Sequence, residues 1–310
     1  MENLERYKHL NKYLKEKFGE RTLKICIDGG FSCPNRDGTL ATGGCIFCSG
    51  RGSGDHIKLN SDSCCVESFI SAQVKDYFNT YKAERANKFI AYFQNFTNTY
   101  DSIPNLKLKY DSALIDDRIV ALAVATRPDC VNEDVCKLLK SYCDKYYVWV
   151  ELGLQTSNDV TGNLINRGYS SQQFSYAVSL LNKYGIDVVT HIMVGLPNES
   201  FVDIKNTIDF INMHNIQGLK IHCTYVVENT FLADMFYDGL YSPISLDYYL
   251  DCVCYILTHI SPDVVIHRVS GDAPKDLLIA PDWNLHKKWI LNGLDRRLSD
   301  GDLWQGMFYQ

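Results

Sequence analysis

The chain predicts an α/β fold made of repeated strand–helix units, and three observations predict it. Short apolar runs recur along the sequence with helix-patterned stretches between them. The runs are hydrophobic almost throughout, as in parallel strands covered on both faces, and do not alternate in the manner of a half-exposed sheet. Polar residues gather where the runs end, which is where barrels of this kind place their active sites.

The elements follow in order. Residues 1–22 read as an N-terminal amphipathic helix. Leu4, Tyr7, Leu10, Leu14 and Phe18 recur at helical spacing in a charged stretch without an apolar signal core. Strands are expected at 23–27, 88–94, 119–126, 147–154, 186–196 and 218–227, with a weaker seventh at 263–269. Ser170 with Gln173 has the pattern of a capping box, and Gly185 ends the same helix at Tyr184. Ser200 precedes a helix carrying Phe201, Ile204, Ile208 and Ile211 on one face. The alternation implies right-handed crossovers. With no repeat, low-complexity stretch or linker, the chain reads as one domain. It divides into the helix 1–22, a core 23–227, and a C-terminal extension 228–310 packed on that core.

Composition narrows the class. The chain has 310 residues, 46% of them hydrophobic, enough for a sizeable core. Its formal net charge of −6 excludes broad electrostatic attraction to nucleic acid, so any such contact must be a local patch. No run approaches a membrane span. Twelve cysteines in so long a chain do not suggest a disulfide-stapled mini-domain, and a reducing cytoplasm is the expected compartment.

Cys33, Cys45 and Cys48 lie in one loop, CPNRDGTLATGGCIFC, with eleven residues between the first two and two between the last. Eight of the chain's 20 glycines fall between Gly29 and Gly54. Such a loop can bring backbone amides close to a bulky object. Three local thiolates leave a [4Fe–4S] cluster one iron short of a closed shell, open to an outside ligand such as the amino and carboxylate end of S-adenosylmethionine (SAM). Spacing alone also admits a zinc knuckle with a distant fourth ligand such as His56, or a CxxC redox pair with Cys33 incidental.

The strand ends supply the remaining candidates. Gln94, Thr97 and Asn98 follow the second strand, and Thr126 and Arg127 close the third. Glu151 and Gln155 lie on the fourth, and His191 on the fifth. Glu151 sits in an otherwise apolar strand, so it is expected to meet a cation or hydrogen-bond donor, Arg127 being a candidate. Cys136 with Cys143, and Cys252 with Cys254, read as helical core. Cys64 and Cys65 are adjacent and ill-placed to chelate. His214, His222, His259 and His286 have no metal spacing.

Taken with YFQNFTNTY, VATRPDC, VELGLQTSND, NRGYS, HIMVGLPNES, SGDAPKDLLIAPDW and LWQG, the cysteine loop resembles the radical SAM superfamily over most of the chain. Within it, the chain is similar to a bacterial subfamily in the branch related to the Elongator catalytic subunit. The spacing departs from the superfamily's commonest CxxxCxxC. The resemblance implies a partial, open TIM-type (β/α)6 barrel. It implies that Cys33, Cys45 and Cys48 ligate a [4Fe–4S] cluster and that Phe47 packs on the adenine of SAM. QNFTNTY would replace the usual glycine-rich segment that meets the methionine amino group, although it lacks Gly-Gly-Glu. Gln155 would bind the ribose and Arg167 the methionine carboxylate, a pairing that suits arginine. Thr126, Arg127, Glu151 and His191 would face the same cavity. Ala125 stands where Elongator sequences carry glutamate.

The resemblance further implies an electron donor such as flavodoxin or ferredoxin, and tRNA as a candidate substrate, at the carbon-5 side chain of a wobble uridine. A metabolite or peptide substrate stays open, as does an iron–sulfur or zinc-binding scaffold without activity. The C-terminal segment mixes His267, Arg268, Lys275, Lys287, Lys288, Arg296 and Arg297 with Trp283 and Trp289, a composition able to hold phosphates and stack bases, or to form a solvated helix over core tryptophans.

Overall fold

A computed structural model describes residues 5–50, 52 and 65–310. Its centre is a sheet of parallel strands running in chain order from β1 (Thr22–Ile27) through β2 (Lys88–Phe93), β3 (Ile119–Thr126), β4 (Tyr147–Gln155) and β5 (Asp187–Val194) to β6 (Gly218–Cys223). After a two-residue strand, β7 (Val226–Val227), the chain returns as β8 (Val265–Arg268), which pairs with β6 as the seventh strand of the sheet. β7 pairs antiparallel with β9 (Leu278–Ala280) in a separate ribbon. The sheet curls into a half-barrel with helices outside, an open relative of the closed (β/α)8 design.

The two faces of the strands have different jobs. Outward residues such as Ile25, Phe89, Leu122, Val150, Val188 and Leu219 pack against the surrounding helices in the main core. Inward residues Ile90, Ala121, Trp149, Val189 and Val265 form a second apolar layer at the bottom of the barrel. Leu10 and Leu14 close that layer from below. They come from the N-terminal helix Leu10–Phe18, which is shorter than the 1–22 expected. It starts after His9, whose Nδ1 accepts from the Asn11 amide, and stops at Gly19 with φ +80°. Tyr7 lies before the helix, and Leu4 lies outside the described residues.

The expected local signals are present. Ser170 and Gln173 make a reciprocal capping box, as do Ser200 and Asp203. Ile204, Ile208 and Ile211 are buried on one face of the helix Phe201–Asn212. The run expected at 218–227 is divided, because the chain leaves β6 after Cys223 to form the β7–β9 ribbon. The weak seventh run is a full member of the sheet, so the barrel has seven strands and not six. The segment after residue 228 therefore both packs on the barrel and completes it. Among the described residues, no helix is long and apolar enough to cross a membrane.

Candidate functional site

One cavity of about 780 Å³ opens at the carboxyl ends of the strands and reaches down the concave face. That volume suits a cofactor together with part of a substrate. Cys33, Cys45, Cys48 and Phe47 line its mouth. Gln94, Thr97, Thr126, Arg127, Gln155 and Tyr169 line its wall. Glu151, His191, Lys24, Lys220, His222 and His267 lie deeper.

The cysteine loop is held from both sides. Asn35 donates to the Asn166 carbonyl at 2.6 Å and approaches Cys45 Sγ at 3.8 Å, while Asn166 donates to the Gly44 carbonyl at 2.7 Å. Arg36 donates to the Cys48 carbonyl at 2.9 Å. Gly44 has φ +73°, and a Cβ there would lie 2.6 Å from Arg36 Nε, so backbone and packing both demand glycine. Burial, reinforced by Cys48, pushes the Cys45 thiol up to about 12. A thiol held so high ligates iron by exchanging its proton for the metal's charge. Among the described residues, no three His, Cys, Asp or Glu side chains converge as a single ion would require; a four-iron cluster spreads its thiolates more widely. His56, the zinc alternative, lies outside the described residues, as does Cys64. The three half-buried thiols beside one cavity, none in a disulfide, fit a cluster with one open position.

The wall is shaped by a break in β4. Register with β5 shifts between Gly153 and Gln155, and Gln155 has φ +61°, a conformation non-glycine residues seldom adopt. The Tyr169 hydroxyl lies 2.8 Å from both the Gly153 carbonyl and Gln155 Oε1. A Cβ at Gly153 would sit 2.6 Å from Gln155 Nε2, so a larger residue would displace that side chain. Arg127 grips Asp129 with two hydrogen bonds, 3.0 and 2.8 Å, and donates to the Arg167 carbonyl at 3.0 Å.

Below the wall, Glu151 is the hub. It is 1% exposed, and its carboxylate accepts from the Tyr92 hydroxyl at 2.7 Å and from Trp149 Nε1 at 3.1 Å. His191 Nε2 is 3.0 Å away, Lys24 Nζ 3.6 Å, and Lys220 Nζ is in direct contact. Register places the partners on neighbouring strands: Glu151 pairs with Val189, one inward position before His191, and His191 pairs with Lys220, so three inward side chains of β4, β5 and β6 lie within reach of one another. Burial alone would raise the Glu151 carboxyl, but Lys220, Lys24 and His191 outweigh it and hold it well below the usual range. Burial, with repulsion from Lys24 and Arg268, lowers Lys220 to about 7 against the pull of Glu151. Burial and Lys220 lower His191 to about 4, so its imidazole is neutral.

With this geometry in view, relationships decide the class. A family model described as the radical SAM superfamily matches residues 38–211, more than half the chain. The chain belongs to the radical SAM superfamily. A second model, the radical SAM C-terminal domain, matches residues 216–300. The chain is 39% identical to protein YtqA of Bacillus subtilis over 306 residues, covering 98% of this chain and 93% of that one. It is 34% identical to protein YhcC of Escherichia coli, covering 93% and 90%. Elongator complex protein 3 of Drosophila melanogaster is 28% identical over 52% of this chain and 29% of its own length. In fold, the chain resembles archaeal Elp3 from Methanocaldococcus infernus with TM-score 0.60 at 18% identity, covering 88% of this chain and 63% of that one. Radical SAM enzymes use a [4Fe–4S] cluster and SAM, and the three thiols with an open cavity beside them suit that pair.

Two expected cofactor contacts of this radical SAM enzyme are corrected. Arg167 does not line the cavity: it is fully buried and donates to the carbonyls of Tyr169, Leu154 and Thr156 at 2.9, 2.7 and 2.6 Å, and to Asp159 at 2.6 Å. With its guanidinium committed to the turn after β4, it is unsuited to a methionine carboxylate, and from the same NRGYS stretch it is Tyr169 that reaches the cavity. Asn98 is also fully buried, donating to the Ala125 carbonyl at 2.7 Å and bracing the end of β3. Arg127 is not the partner of Glu151, because Asp129 two residues away claims it. The basic C-terminal patch is partly neutralised: Arg297 pairs with Asp247 at 2.8 Å and Asp251 at 3.0 Å, and Lys287 meets Asp272 at 3.3 Å. Trp283 donates to the Ile244 carbonyl at 3.2 Å against Tyr249, whereas Trp289 is exposed and stacks on His286.

Sequence reasoning missed Lys24, Tyr92, Lys220, His222 and His267 as one group. The available signal was the period of two within strands: Lys24 and Cys26, Trp149 and Glu151, Lys220 and His222 each occupy successive inward positions.

Proposed function

We propose that this radical SAM enzyme modifies the side chain at carbon 5 of a tRNA wobble uridine, with Cys33, Cys45 and Cys48 as the cluster ligands. Cys33, Cys45 and Cys48 would hold the cluster, which together with SAM would supply radical chemistry able to act at an unactivated carbon of the substrate. The protein contributes position and shielding. Phe47 at the mouth offers a face to the adenine, and Gln155, turned inward by its left-handed backbone, offers an amide to the ribose. Gln94, Thr97, Thr126 and Arg127 border the space between them. The apolar layer of Ile90, Ala121, Trp149, Val189 and Val265, closed by Leu10 and Leu14, bounds the far end of the space. A small one-electron carrier such as flavodoxin or ferredoxin would reduce the cluster in the reducing cytoplasm.

The observation that carries the substrate reading is the relationship to Elongator complex protein 3, in sequence and in fold. The exposed Trp289 and the exposed Lys288 and Arg296 on the helix Lys287–Asp300 support it as a small phosphate- and base-contacting surface beside the cavity. The test compares tRNA nucleosides by mass spectrometry from cells with and without the gene. A substituted uridine accumulating at the expense of its processed form supports the proposal and identifies the carbon attacked. A full set of unchanged uridines refutes it and favours a metabolite or peptide substrate.

A further inference from the structure

The deep end of the cavity carries an excess of positive charge that cluster and SAM binding at the mouth leaves unexplained. The whole chain has a net charge of −6, yet among the described residues the cavity is lined by Lys24, Arg36, Arg127, Lys220, Arg268 and Lys287 against Glu151 and Asp272. Two of these cations belong to the mouth and wall: Arg36 braces the cysteine loop and Arg127 pairs with Asp129. The other four remain deep or on the β8 side. Lys220 and Lys24 share Glu151, and Arg268 and Lys287 share Asp272. Each carboxylate thus serves two basic side chains, so bases outnumber acids two to one along this side of the cavity.

A second observation is independent of charge. Beside these cations stand two imidazoles, and His222 Nε2 and His267 Nδ1 are buried without a hydrogen-bond partner among the described residues. Buried polar atoms are normally satisfied, and an orphaned one beside a cavity indicates a missing partner. The rings are held in place: His222 lies against His191 with centroids 5.2 Å apart, and His267 meets the edge of Trp149 at 6.0 Å. The close backbone approach of Gly218, where a Cβ would lie 2.8 Å from His267 Nε2, keeps room for that ring. Burial keeps both imidazoles neutral, so each can donate one N–H without adding charge.

We propose that the inner face of the half-barrel is a receptor for an anionic group of the substrate, a carboxylate or a phosphate, held by Lys24, Lys220 and Arg268 with His222 and His267 as neutral donors. Three oxygen-seeking cations from β1, β6 and β8 converge there, and a low-dielectric enclosure strengthens their pull on an anion. Tyr92 and Glu151 position Lys220 from beneath, through contacts of 2.9 Å and closer. The repulsion that Lys220 feels from Lys24 and Arg268 has the sign expected of a site awaiting an anion. This receptor shares the cavity with the reaction proposed above but does not depend on tRNA being the substrate.

The test is calorimetric titration of acetate and of inorganic phosphate into the full chain carrying its cluster and SAM, so that the cofactor's own carboxylate subsite is filled. Acetamide serves as the uncharged control. Stoichiometric binding of either anion, absent for acetamide, supports the receptor, and the preferred anion distinguishes a carboxylate from a phosphate source. Lys24→Met should weaken that binding about tenfold, a loss of about 1.4 kcal/mol, while leaving the Lys220–Glu151 pair in place. Lys220→Met should weaken it further, and Lys24→Met alone decides if that variant does not fold. No heat from either anion, or affinity unchanged in Lys24→Met, overturns the proposal. Because the measurement needs no RNA, it can fail while the tRNA assignment stands, and the reverse.

Discussion

Replacing Glu151 by glutamine tests whether the buried hub holds the barrel together as its geometry implies. The carboxylate accepts from Tyr92, Trp149, His191 and Lys220 and stands 3.6 Å from Lys24. Glutamine preserves the shape but keeps one acceptor oxygen and turns an amino group toward donors. Lys220, 5% exposed, is then left without its counter-charge. Breaking a buried ion pair on one side costs about 3–5 kcal/mol. For 310 residues, with an unfolding entropy of about 2.1 cal/mol/K per residue, that lowers Tm by about 5–8 °C. The assay is thermal unfolding of the full chain followed by far-UV circular dichroism. The pH dependence gives a second check. The folded pKa of Glu151 lies below its ordinary 4.5, so its contribution is complete above pH 4.5 and is lost as the pH falls below that value. The gap between wild type and Glu151→Gln should therefore narrow on acidification. An unchanged midpoint at neutral pH, or a gap that widens in acid, would refute the reasoning.

Two further outcomes follow from the site. Anaerobic reconstitution should load about four irons per chain, and alanine at Cys33, Cys45 or Cys48 should abolish loading, whereas Cys136→Ala, buried in the core, should not; stoichiometric zinc without iron uptake would overturn the ligand assignment. Arg167→Ala strips partners from three buried carbonyls and should cost at least about 3 kcal/mol in urea denaturation. A variant of wild-type stability with weakened SAM binding would reinstate the carboxylate role that the structure denies to Arg167.

Much of the architecture was legible because each local signal is self-contained. The run at 119–126 matches β3, and the caps at Ser170 and Ser200 stand where their pattern placed them. The seventh strand was harder to read: β8 has four residues and earns its place by pairing with β6 and bridging to His9, contacts distant in sequence. The cysteine loop was legible through spacing and glycine content. Arg167 was misassigned because spacing along the chain does not reveal that the turn after β4 folds back on the guanidinium and consumes it.

The sequence by itself determined the class of the protein: strand–helix alternation, three cysteines in a glycine-rich loop, and polar strand ends. These are short-range features, encoded within a few residues of one another. Only the tertiary structure decided which polar residues share a space. Lys24, Tyr92, Glu151, His191 and Lys220 lie on five strands separated by long helical connections, and nothing local marks them as partners. Curling the parallel sheet turns their inward faces toward one another and places the cations around Glu151. The same closure removes water from them, and that desolvation gives the group its unusual charge balance.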